Sequence, residues 1–306
     1  MKKILVTGGA GFIGSHVVDA LVERGHGVVV IDDLSSGTTQ NINKQSTFVE
    51  GDITNARVVE KLFATCGPFD AIIHLAAQKS VTASVREPKH DANINIMGSL
   101  TLCEAAQKYG VKRIIFSSTG GALYGDGVAL PTPEDARIEP LSPYGIAKLS
   151  IENYLRFYRE TGMTTQILRY ANVYGPRQDP HGEAGVVAIF CQKCIAGTDL
   201  TIFGDGTQTR DFIYVEDVVD ANIAALKSAS SGTWNIGTGK ETSVNDLACG
   251  LIDTPKKSSS KIIYAPARMG ELKRSCLAIT KAKKELMWDA QVSLADGLKN
   301  TYDSFR

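Results

Sequence analysis

Tyr144 and Lys148 lie four residues apart in the segment Ser-Pro-Tyr-Gly-Ile-Ala-Lys. On an α-helix, side chains four positions apart share one face, so we expect the ammonium group of Lys148 beside the phenol of Tyr144. Making a tyrosine a base near neutral pH requires a pKa shift of about 3 units, or about 4 kcal/mol. A cation about 5 Å away, at an effective dielectric constant of about 20, supplies about 3 kcal/mol, and a second positive charge on a bound oxidised cofactor would supply the rest. The pair predicts a phenolate base; the alternative is an accidental Tyr-x-x-x-Lys on a helix surface.

A glycine-rich turn at residues 8–14, Gly-Gly-Ala-Gly-Phe-Ile-Gly, predicts a phosphate-binding junction. The apolar run 3–7 before it suits a buried parallel strand, and residues 12–24 have helical spacing of apolar side chains. Glycines at such a junction let a pyrophosphate approach the amides at the helix start. A second apolar run ends in Asp32, whose carboxylate suits the adenosine ribose hydroxyls and repels a 2′-phosphate. NAD is therefore favoured over NADP; the alternative is a glycine turn with a chance acid.

Composition agrees with a globular enzyme. The 306 residues are 43% apolar and 22% charged, with a formal net charge of zero. We expect neither nucleic acid nor a membrane as partner, since there is no basic tract and no apolar stretch of about 20 residues. The run 1–6 is too short for a secretory signal, which predicts a cytoplasmic protein. Cys191 and Cys194 predict one side of a buried helix, and no metal site is predicted.

Strand and helix patterns alternate along the first 170 residues and predict an α/β fold with a doubly wound parallel sheet of the Rossmann type. Ligands of such sheets bind beyond the carboxyl ends of the strands, where Asp52, residues 75–77, residues 117–119 and Tyr170 fall. The predicted strands are 28–32, 47–49, 71–74, 113–117 and 165–169, and the predicted helices are 55–65 and 93–108. The segment 255–261, which consists of Pro, Lys and Ser residues, predicts a solvated surface loop.

Several motifs carry a family resemblance. They are Thr7-Gly8-x-x-Gly11-x-x-Gly14, Gly51-Asp52-Ile53, His74-Leu75-Ala76-Ala77, Asn95-x-x-Gly98, Ser117-Ser118-Thr119, Tyr144-x-x-x-Lys148, Arg169-Tyr170-x-Asn172-x-Tyr174-Gly175-Pro176, the run 210–217 and the run 267–272. Together they resemble the extended short-chain dehydrogenase/reductases of the NAD-dependent epimerase/dehydratase type, and within these the UDP-glucose 4-epimerases.

The resemblance implies a cofactor domain and a smaller, partly discontinuous substrate-binding lobe. Residues 1–170 and returning segments at about 212–238 would form the NAD-binding domain, and residues 171–211 and 239–306 the lobe. A helix at 218–226 and a strand at 234–236 would belong to the returning segments. Helices 93–108 and 144–160 resemble the family's homodimer contact.

The resemblance also implies the roles of individual residues. The cofactor NAD would contact Gly8, Gly11, Phe12, Ile13, Gly14, Asp32, Asp33, Asp52, Ile53, Leu75, Ala76, Ala77, Lys79, Asn95, Ser117, Tyr144, Lys148 and Tyr170. A UDP-sugar would contact Lys79, Thr119, Tyr144, Asn172, Arg210, Arg268 and Ser275. Tyr144, Lys148 and either Thr119 or Ser118 would be catalytic, in a reversible oxidation at C4 of the sugar that passes through a 4-keto intermediate.

The catalytic hydroxyl is where the chain departs from the family pattern. Many members have it four residues before the Tyr of the following Tyr-Gly, but here Gly120 stands at that place before Tyr124. We favour Thr119 over Ser118, with the extra glycine accommodated by a small backbone excursion. Gly120 and Gly121 also stand where related dehydratases need an acid pair.

Substrate choice stays open at this level. The resemblance implies that residue 275 sets the room at C2 of the sugar, so the small side chain of Ser275 predicts that UDP-N-acetylglucosamine is accepted beside UDP-glucose. Arg177 and His181 leave UDP-glucuronate as an alternative, and a polar loop is the simpler interpretation. A non-catalytic NAD-sensing protein is a remote alternative, because such relatives usually lack the Tyr and Lys pair.

Overall fold

A seven-stranded parallel sheet forms the centre of the molecule. The computed structural model describes residues 1–180, 185–254, 258–267 and 272–306. The strands are β1 (Lys3–Thr7), β2 (Gly27–Asp32), β3 (Thr47–Glu50), β4 (Ala71–His74), β5 (Arg113–Thr119), β6 (Thr164–Tyr170), β7 (Asn172–Tyr174), β8 (Leu200–Phe203), β9 (Thr209–Arg210), β10 (Phe212–Tyr214), β11 (Gly232–Ile236), β12 (Thr242–Ser243) and β13 (Ile262–Ala265). The central sheet has the order β11-β6-β5-β4-β1-β2-β3.

The molecule has helices on both faces of this sheet and around the smaller strand pairs. They are α1 (Phe12–Glu23), α2 (Ala56–Cys66), α3 (Val81–Arg86), α4 (Pro88–Ala92), α5 (Ser99–Lys108), α6 (Pro143–Glu160), α7 (Val186–Ala196), α8 (Val215–Lys227), α9 (Val244–Asp253), α10 (Thr280–Glu285) and α11 (Leu294–Ser304). A π-helical turn, Asn93–Gly98, joins α4 to α5, so the helix predicted at 93–108 is a wider turn followed by an α-helix. The predicted doubly wound parallel sheet is confirmed, and the strand at 234–236 is its edge strand β11.

Two apolar layers hold the helices to the sheet. On one face, Val17 and Leu21 of α1 and Val218 of α8 pack with the fully buried Trp234 of β11. On the other face, side chains of α2, α5 and α6 pack on β1, β4 and β5. Full burial of each large apolar side chain contributes about 1.5–3 kcal/mol relative to exposure. This burial fixes the carboxyl ends of the strands as a rigid edge.

A third core lies among residues 174–305. It packs α7, α9 and α11 around β8 and β10, with Tyr174, Phe190, Leu247 and Leu298 buried in it. Its strands form three two-stranded sheets: β7 with β10, β8 with β13, and β9 with β12. The predicted substrate-binding lobe, residues 171–211 and 239–306, supplies most of this core, and Phe212, Tyr214 and Val215 come from the segment predicted to return to the NAD-binding domain.

Helix α7 confirms the interpretation of Cys191 and Cys194, which are both buried along it. Burial raises the pKa of Cys191 to about 12, so its thiol is inert. The described residues hold no group of three or more metal-ligating side chains. No helix in the described ranges has the length and apolarity that crossing a membrane requires.

The predicted surface loop at 255–261 differs from the structure in its described part. Residues 255–257 lie outside the described residues, but Ser260 is only 5% exposed. The Ser258 hydroxyl donates to the Cys194 carbonyl (3.0 Å) and the Ser260 hydroxyl to the Lys193 carbonyl (3.4 Å). The two serines thus satisfy carbonyls at the end of α7, which holds this stretch against the protein.

Candidate functional site

The glycine turn between β1 and α1 is packed so closely that it has no room for side chains at Gly8 and Gly14. Gly8 has a φ of +72°, and a Cβ there would lie 2.7 Å from the amide nitrogen of Ala76. A Cβ on Gly14 would lie 2.0 Å from the carbonyl oxygen of Gly8. Gly11 begins α1 without a side-chain cap. The first amides of α1 therefore have no competing side-chain oxygen, which suits an incoming pyrophosphate.

Asp32 lies at the end of β2, beside this turn, and is 7% exposed. Its two carboxylate oxygens accept hydrogen bonds from the amides of Ala10 (2.9 Å) and Leu34 (2.9 Å). The pKa of the Asp32 carboxyl is raised, mainly by burial and to a smaller extent by the charge of Asp33. The hydrogen bonds from the two amides oppose this shift. Asp33 itself is exposed and accepts from Ser35 (2.6 Å). The geometry fits the ribose role predicted for Asp32.

Thr7 connects the end of β1 to the loop after β4. Its hydroxyl oxygen accepts from the amides of Leu75 (3.2 Å) and Ala76 (3.1 Å) and lies 2.7 Å from Nδ1 of His74. Because these contacts are buried, the loop has one fixed position beside the glycine turn. Leu75 and Ala76 are thereby held where the sequence predicts cofactor contacts.

His74 continues this network on its other side. Its Nε2 lies 2.8 Å from the Ser99 hydroxyl, which donates to the carbonyl of Asn95 (2.6 Å). Since Ser99 donates onward, Nε2 carries the imidazole proton and Nδ1 accepts the proton of Thr7. Burial, with a smaller contribution from Lys148, lowers the pKa of His74 to about 3. The imidazole is therefore neutral and acts as a structural link rather than as an acid.

Tyr144 and Lys148 lie on the first turns of α6, which begins at Pro143 after the cap residue Ser142. The Lys148 ammonium is 5.8 Å from the centre of the Tyr144 ring and 4.8 Å from that of Phe116. It donates to the carbonyl of Ser117 (2.8 Å) at the carboxyl end of β5. The predicted pairing of phenol and ammonium is thus present in the structure.

The Lys148 ammonium by itself does not make the Tyr144 phenol a base at neutral pH. Burial raises the pKa of the Tyr144 phenol well above its ordinary value, and the negative charge of Asp91 raises it further. Burial also lowers the pKa of Lys148 to about 8, against the opposing effects of Asp91 and Glu152. Desolvation of a phenolate outweighs one ammonium group that already bonds a carbonyl. A phenolate at neutral pH requires a further positive charge in the site.

The two candidate hydroxyls differ in their surroundings. Ser118 is 3% exposed, and its hydroxyl donates to the carboxylate of Glu152 (2.6 Å). Glu152 is also bound by the guanidinium of Arg169 (2.6 Å), in a fully buried pair. Thr119 is the last residue of β5 and is partly exposed. This arrangement favours Thr119 as the hydroxyl that can meet a substrate.

Gly120 follows β5 without the backbone excursion that we expected. Its amide donates to the carbonyl of Tyr170 (2.8 Å), which continues the pairing of β5 with β6. A Cβ at Gly120 would lie 2.4 Å from Cδ1 of Leu277, so the glycine makes space for that side chain. At Gly121, a Cβ would lie 3.6 Å from the amide oxygen of Asn172. Asn172 therefore lies beside the turn that follows Thr119, as a substrate contact requires.

Other predicted cofactor residues lie around the same edge of the sheet. The hydroxyl of Tyr170 exchanges hydrogen bonds with Asn222 of α8 (2.8 and 3.1 Å), so its polar end is already satisfied. Asp52 accepts from Thr54 (2.7 Å). Ile53 is buried, and Lys79 is exposed.

The predicted substrate residues are described in part. Arg210 is partly buried and donates to the Thr209 carbonyl (2.8 Å). Ser275 is 8% exposed, and its amide donates to the same carbonyl (3.2 Å). Arg210 and Ser275 are thus adjacent in the structure. Arg268 lies outside the described residues.

Two buried carboxylates near Lys148 were missed by the sequence reasoning. Glu152 lies four residues beyond Lys148, a helical spacing that places it on the same face of α6. Asp91 belongs to α4, which packs against α6, and no local pattern in the sequence marks it.

Comparison with known proteins places the chain among sugar-modifying enzymes. The model of the NAD dependent epimerase/dehydratase family matches residues 4–237. A UDP-glucose 4-epimerase of Mycolicibacterium smegmatis is 45% identical, over 99% of this chain and 98% of that protein. The chain belongs to the NAD-dependent epimerase/dehydratase family.

Solved structures of this family superpose closely on the chain. A UDP-glucose 4-epimerase of Thermotoga maritima, crystallised with UDP-glucose, has a TM-score of 0.97 at 52% identity, covering 99% of this chain and 98% of that one. A UDP-N-acetylglucosamine 4-epimerase of Methanobrevibacter ruminantium, in complex with UDP-N-acetylmuramic acid, has a TM-score of 0.93 at 35% identity, with the same coverage of both chains.

Proposed function

We propose that the protein is a UDP-glucose 4-epimerase that interconverts UDP-glucose and UDP-galactose with NAD held in the site. The observation that carries the proposal is the pair formed by Tyr144 and Lys148: the Lys148 ammonium lies 5.8 Å from the centre of the Tyr144 ring and donates to the Ser117 carbonyl at the carboxyl end of β5. Both lie in a chain related over its whole length to 4-epimerases.

The residues present fit NAD. The turn around Gly8 and Gly14 leaves no room for side chains, and Asp32 lies beside it with its carboxylate held by amides. When bound, NAD accepts the C4 hydride of the sugar, returns it later and adds a positive charge to the site. That charge would favour ionisation of the Tyr144 phenol, which the protein chain alone opposes.

Each catalytic residue then has a defined task. The Tyr144 phenolate takes the proton of the 4-hydroxyl as the C4 hydride leaves, and gives it back when the hydride returns. Lys148 supports the phenolate, and Thr119 donates to the reacting oxygen. Arg210 holds the diphosphate, while Arg268 has the same proposed role outside the described residues. With the diphosphate held, the 4-keto sugar can turn about its link to it, and hydride return to the other face inverts C4.

Assay of the purified protein with UDP-glucose, without added nucleotide, tests this function directly. We expect UDP-galactose to form, and we expect Tyr144→Phe to reduce kcat at least 100-fold, since loss of a general base typically costs about 10²–10⁴-fold. Tyr109→Phe is the matched control, because this tyrosine lies at the end of α5 and bonds Glu60 (2.7 Å). Full activity in Tyr144→Phe would remove the proposed base, and absence of activity in the unmodified protein would favour a non-catalytic NAD-binding role.

UDP-N-acetylglucosamine is the second substrate that we propose. Ser275, with its short side chain, lies next to Arg210, and one similar structure is a UDP-N-acetylglucosamine 4-epimerase. We expect the acetylated sugar to be turned over, and Ser275→Tyr to abolish that turnover while UDP-glucose is still converted. Conversion of only unacetylated sugars, in the unmodified protein and in Ser275→Ala, contradicts this proposal.

No contact among the described residues favours UDP-glucuronate. The guanidinium of Arg177 is 2.8 Å from the carboxylate of Asp19 on α1, so it is already paired. His181 lies outside the described residues. UDP-glucose is therefore the substrate that we propose ahead of its carboxylated analogue.

We also propose a cytoplasmic homodimer, with residues 171–211 and 239–306 forming the substrate-binding lobe. An apolar strip on the helices of the predicted contact supports the dimer. It consists of Met97, Ile146, Tyr154 and Phe157, which are 54%, 52%, 43% and 60% exposed. Exposed apolar residues grouped on neighbouring helices are typical of an interface.

A further inference from the structure

Asp91 on α4 is a carboxylate with one unpaired oxygen inside the protein. The residue is 1% exposed. Oδ1 accepts hydrogen bonds from Nε2 of Gln78 (2.7 Å) and Nδ2 of Asn95 (2.9 Å). Oδ2 is buried and has no hydrogen-bond partner among the described residues. An unpaired buried carboxylate oxygen is costly, so its presence calls for a functional reason.

The first oxygen belongs to a clamp on the loop after β4. Asn95 accepts from the Gln78 amide (3.0 Å) and donates to the Gln78 carbonyl (3.0 Å), so it holds the backbone on both sides of this residue. Asp91 holds the Gln78 side chain. The clamp therefore fixes the loop that carries the proposed cofactor contacts Leu75 to Lys79.

Helix α4, which carries Asp91, packs against α6, which carries Tyr144 and Lys148. The charged and titratable groups around Asp91 are Lys148 and Tyr144 of α6 and His90 of its own helix. The charge of Glu152, which lies one turn further along α6, also raises the pKa of Lys148. Asp91 is the one negative group that acts on Tyr144 among the described residues.

We propose that Asp91 is a positioning residue of the epimerase reaction: one carboxylate oxygen fixes the cofactor loop through Gln78, and the charge tunes Tyr144 and Lys148 together. The inference rests on the proposed function, because it assigns Tyr144 as the base. A negative charge raises the pKa of both neighbours. It keeps Lys148 cationic, and it keeps the phenol protonated until a further positive charge enters the site.

The test removes the charge and keeps the shape. Asp91→Asn retains an oxygen that can accept from Gln78 and Asn95. In NAD-loaded protein labelled with [ζ-¹³C]tyrosine, the signal of Tyr144, assigned with Tyr144→Phe, should titrate about one pH unit lower than in the unmodified protein. Both limbs of the pH profile of kcat should move to lower pH with it. Asp303→Asn, an exposed carboxylate on α11, should shift neither.

A second variant separates the two tasks of Asp91. Gln78→Leu breaks the clamp without changing any charge, so it should weaken NAD retention on gel filtration and leave the Tyr144 titration in place. Asp91→Ser also removes the charge and should shift the Tyr144 signal as Asp91→Asn does. Because it removes the oxygen that holds Gln78 as well, it should in addition weaken NAD retention, and it replaces the amide variant if that variant does not fold. An unshifted Tyr144 signal in a folded Asp91 variant overturns the proposal. A shifted signal in a protein that converts no UDP-sugar would instead count against the proposed function alone.

Discussion

His74 shows how one buried residue makes the cofactor loop sensitive to pH. Its pKa is about 3 in the folded protein, against an ordinary 6.5. Below pH 6.5 the unfolded chain therefore binds a proton that the folded protein does not bind. The free energy of unfolding should fall by about 1.4 kcal/mol for each pH unit between these values. The stabilising network of neutral His74 is thus complete above pH 6.5 and is lost as the pH falls.

Urea unfolding at pH 7.5 and pH 5 measures this effect. His74 should account for about 2 kcal/mol of the difference between the two pH values. We expect that part to disappear in His74→Gln, which cannot take up a proton. The exposed His90→Gln serves as control and should keep the full difference. An equal pH dependence in His74→Gln and the unmodified protein contradicts the neutral role.

Single residues also show where prediction from sequence ends. The pairing of Tyr144 with Lys148 was predictable, because spacing along one helix determines it. The partner of Ser118 is Glu152, and that of Gln78 is Asp91, and these contacts depend on how separate elements pack. Burial raises the pKa of Tyr144, whereas the neighbouring Lys148 considered alone predicts a lower pKa. The sequence pattern identifies the neighbouring residue but not the extent of desolvation.

At the scale of elements, the carboxyl end of β5 packs against a residue that is distant in the sequence. Gly120 makes room for the side chain of Leu277, and Leu277 also forms an isolated β-bridge with Thr132. The glycine therefore reflects a packing requirement between this end of β5 and the segment after residue 272. From the sequence we explained the extra glycine by a local backbone excursion, whereas the structure explains it by packing against Leu277, which is distant in the sequence.

A double-mutant cycle in urea tests this contact. Gly120→Ala should reduce the free energy of unfolding by about 1–3 kcal/mol through overpacking, and Leu277→Ala by about 2–5 kcal/mol through a cavity. The double variant should lose less than the sum of the two, because the new methyl group enters the space that Leu277 vacates. Strict additivity shows that the two positions do not touch.

The alternation of strands and helices was predictable for the central sheet, because strands such as β1, β2 and β4 are short, mostly apolar runs, as buried parallel strands typically are. The two-residue strands β9 and β12 were not predicted, since they are too short to leave a pattern. The π-helical turn before α5 was missed for a similar reason. The spacing of apolar residues does not distinguish its i→i+5 hydrogen bonds from those of an α-helix.

For the whole molecule, the apolar strip on α6 and the turn before α5 predicts self-association. Phe157→Glu places a charge on the most exposed residue of the strip, at 60%, and should convert dimers into monomers in analytical ultracentrifugation at micromolar concentration. Tyr264→Glu is the control, because this residue is 59% exposed on β13, away from the strip, and should leave the mass unchanged. A monomeric unmodified protein contradicts the predicted homodimer.

The fate of the C4 hydrogen tests the central claim most directly. UDP-galactose carrying deuterium at C4 is converted in ordinary water, and the UDP-glucose formed is analysed by NMR. Because the account has a hydride leave C4 and return within one closed site, it predicts that deuterium is retained at C4 of the product. Replacement of the deuterium by hydrogen from water shows that C4 is inverted by proton exchange, and contradicts the assignment of Tyr144 as the base for the hydroxyl proton.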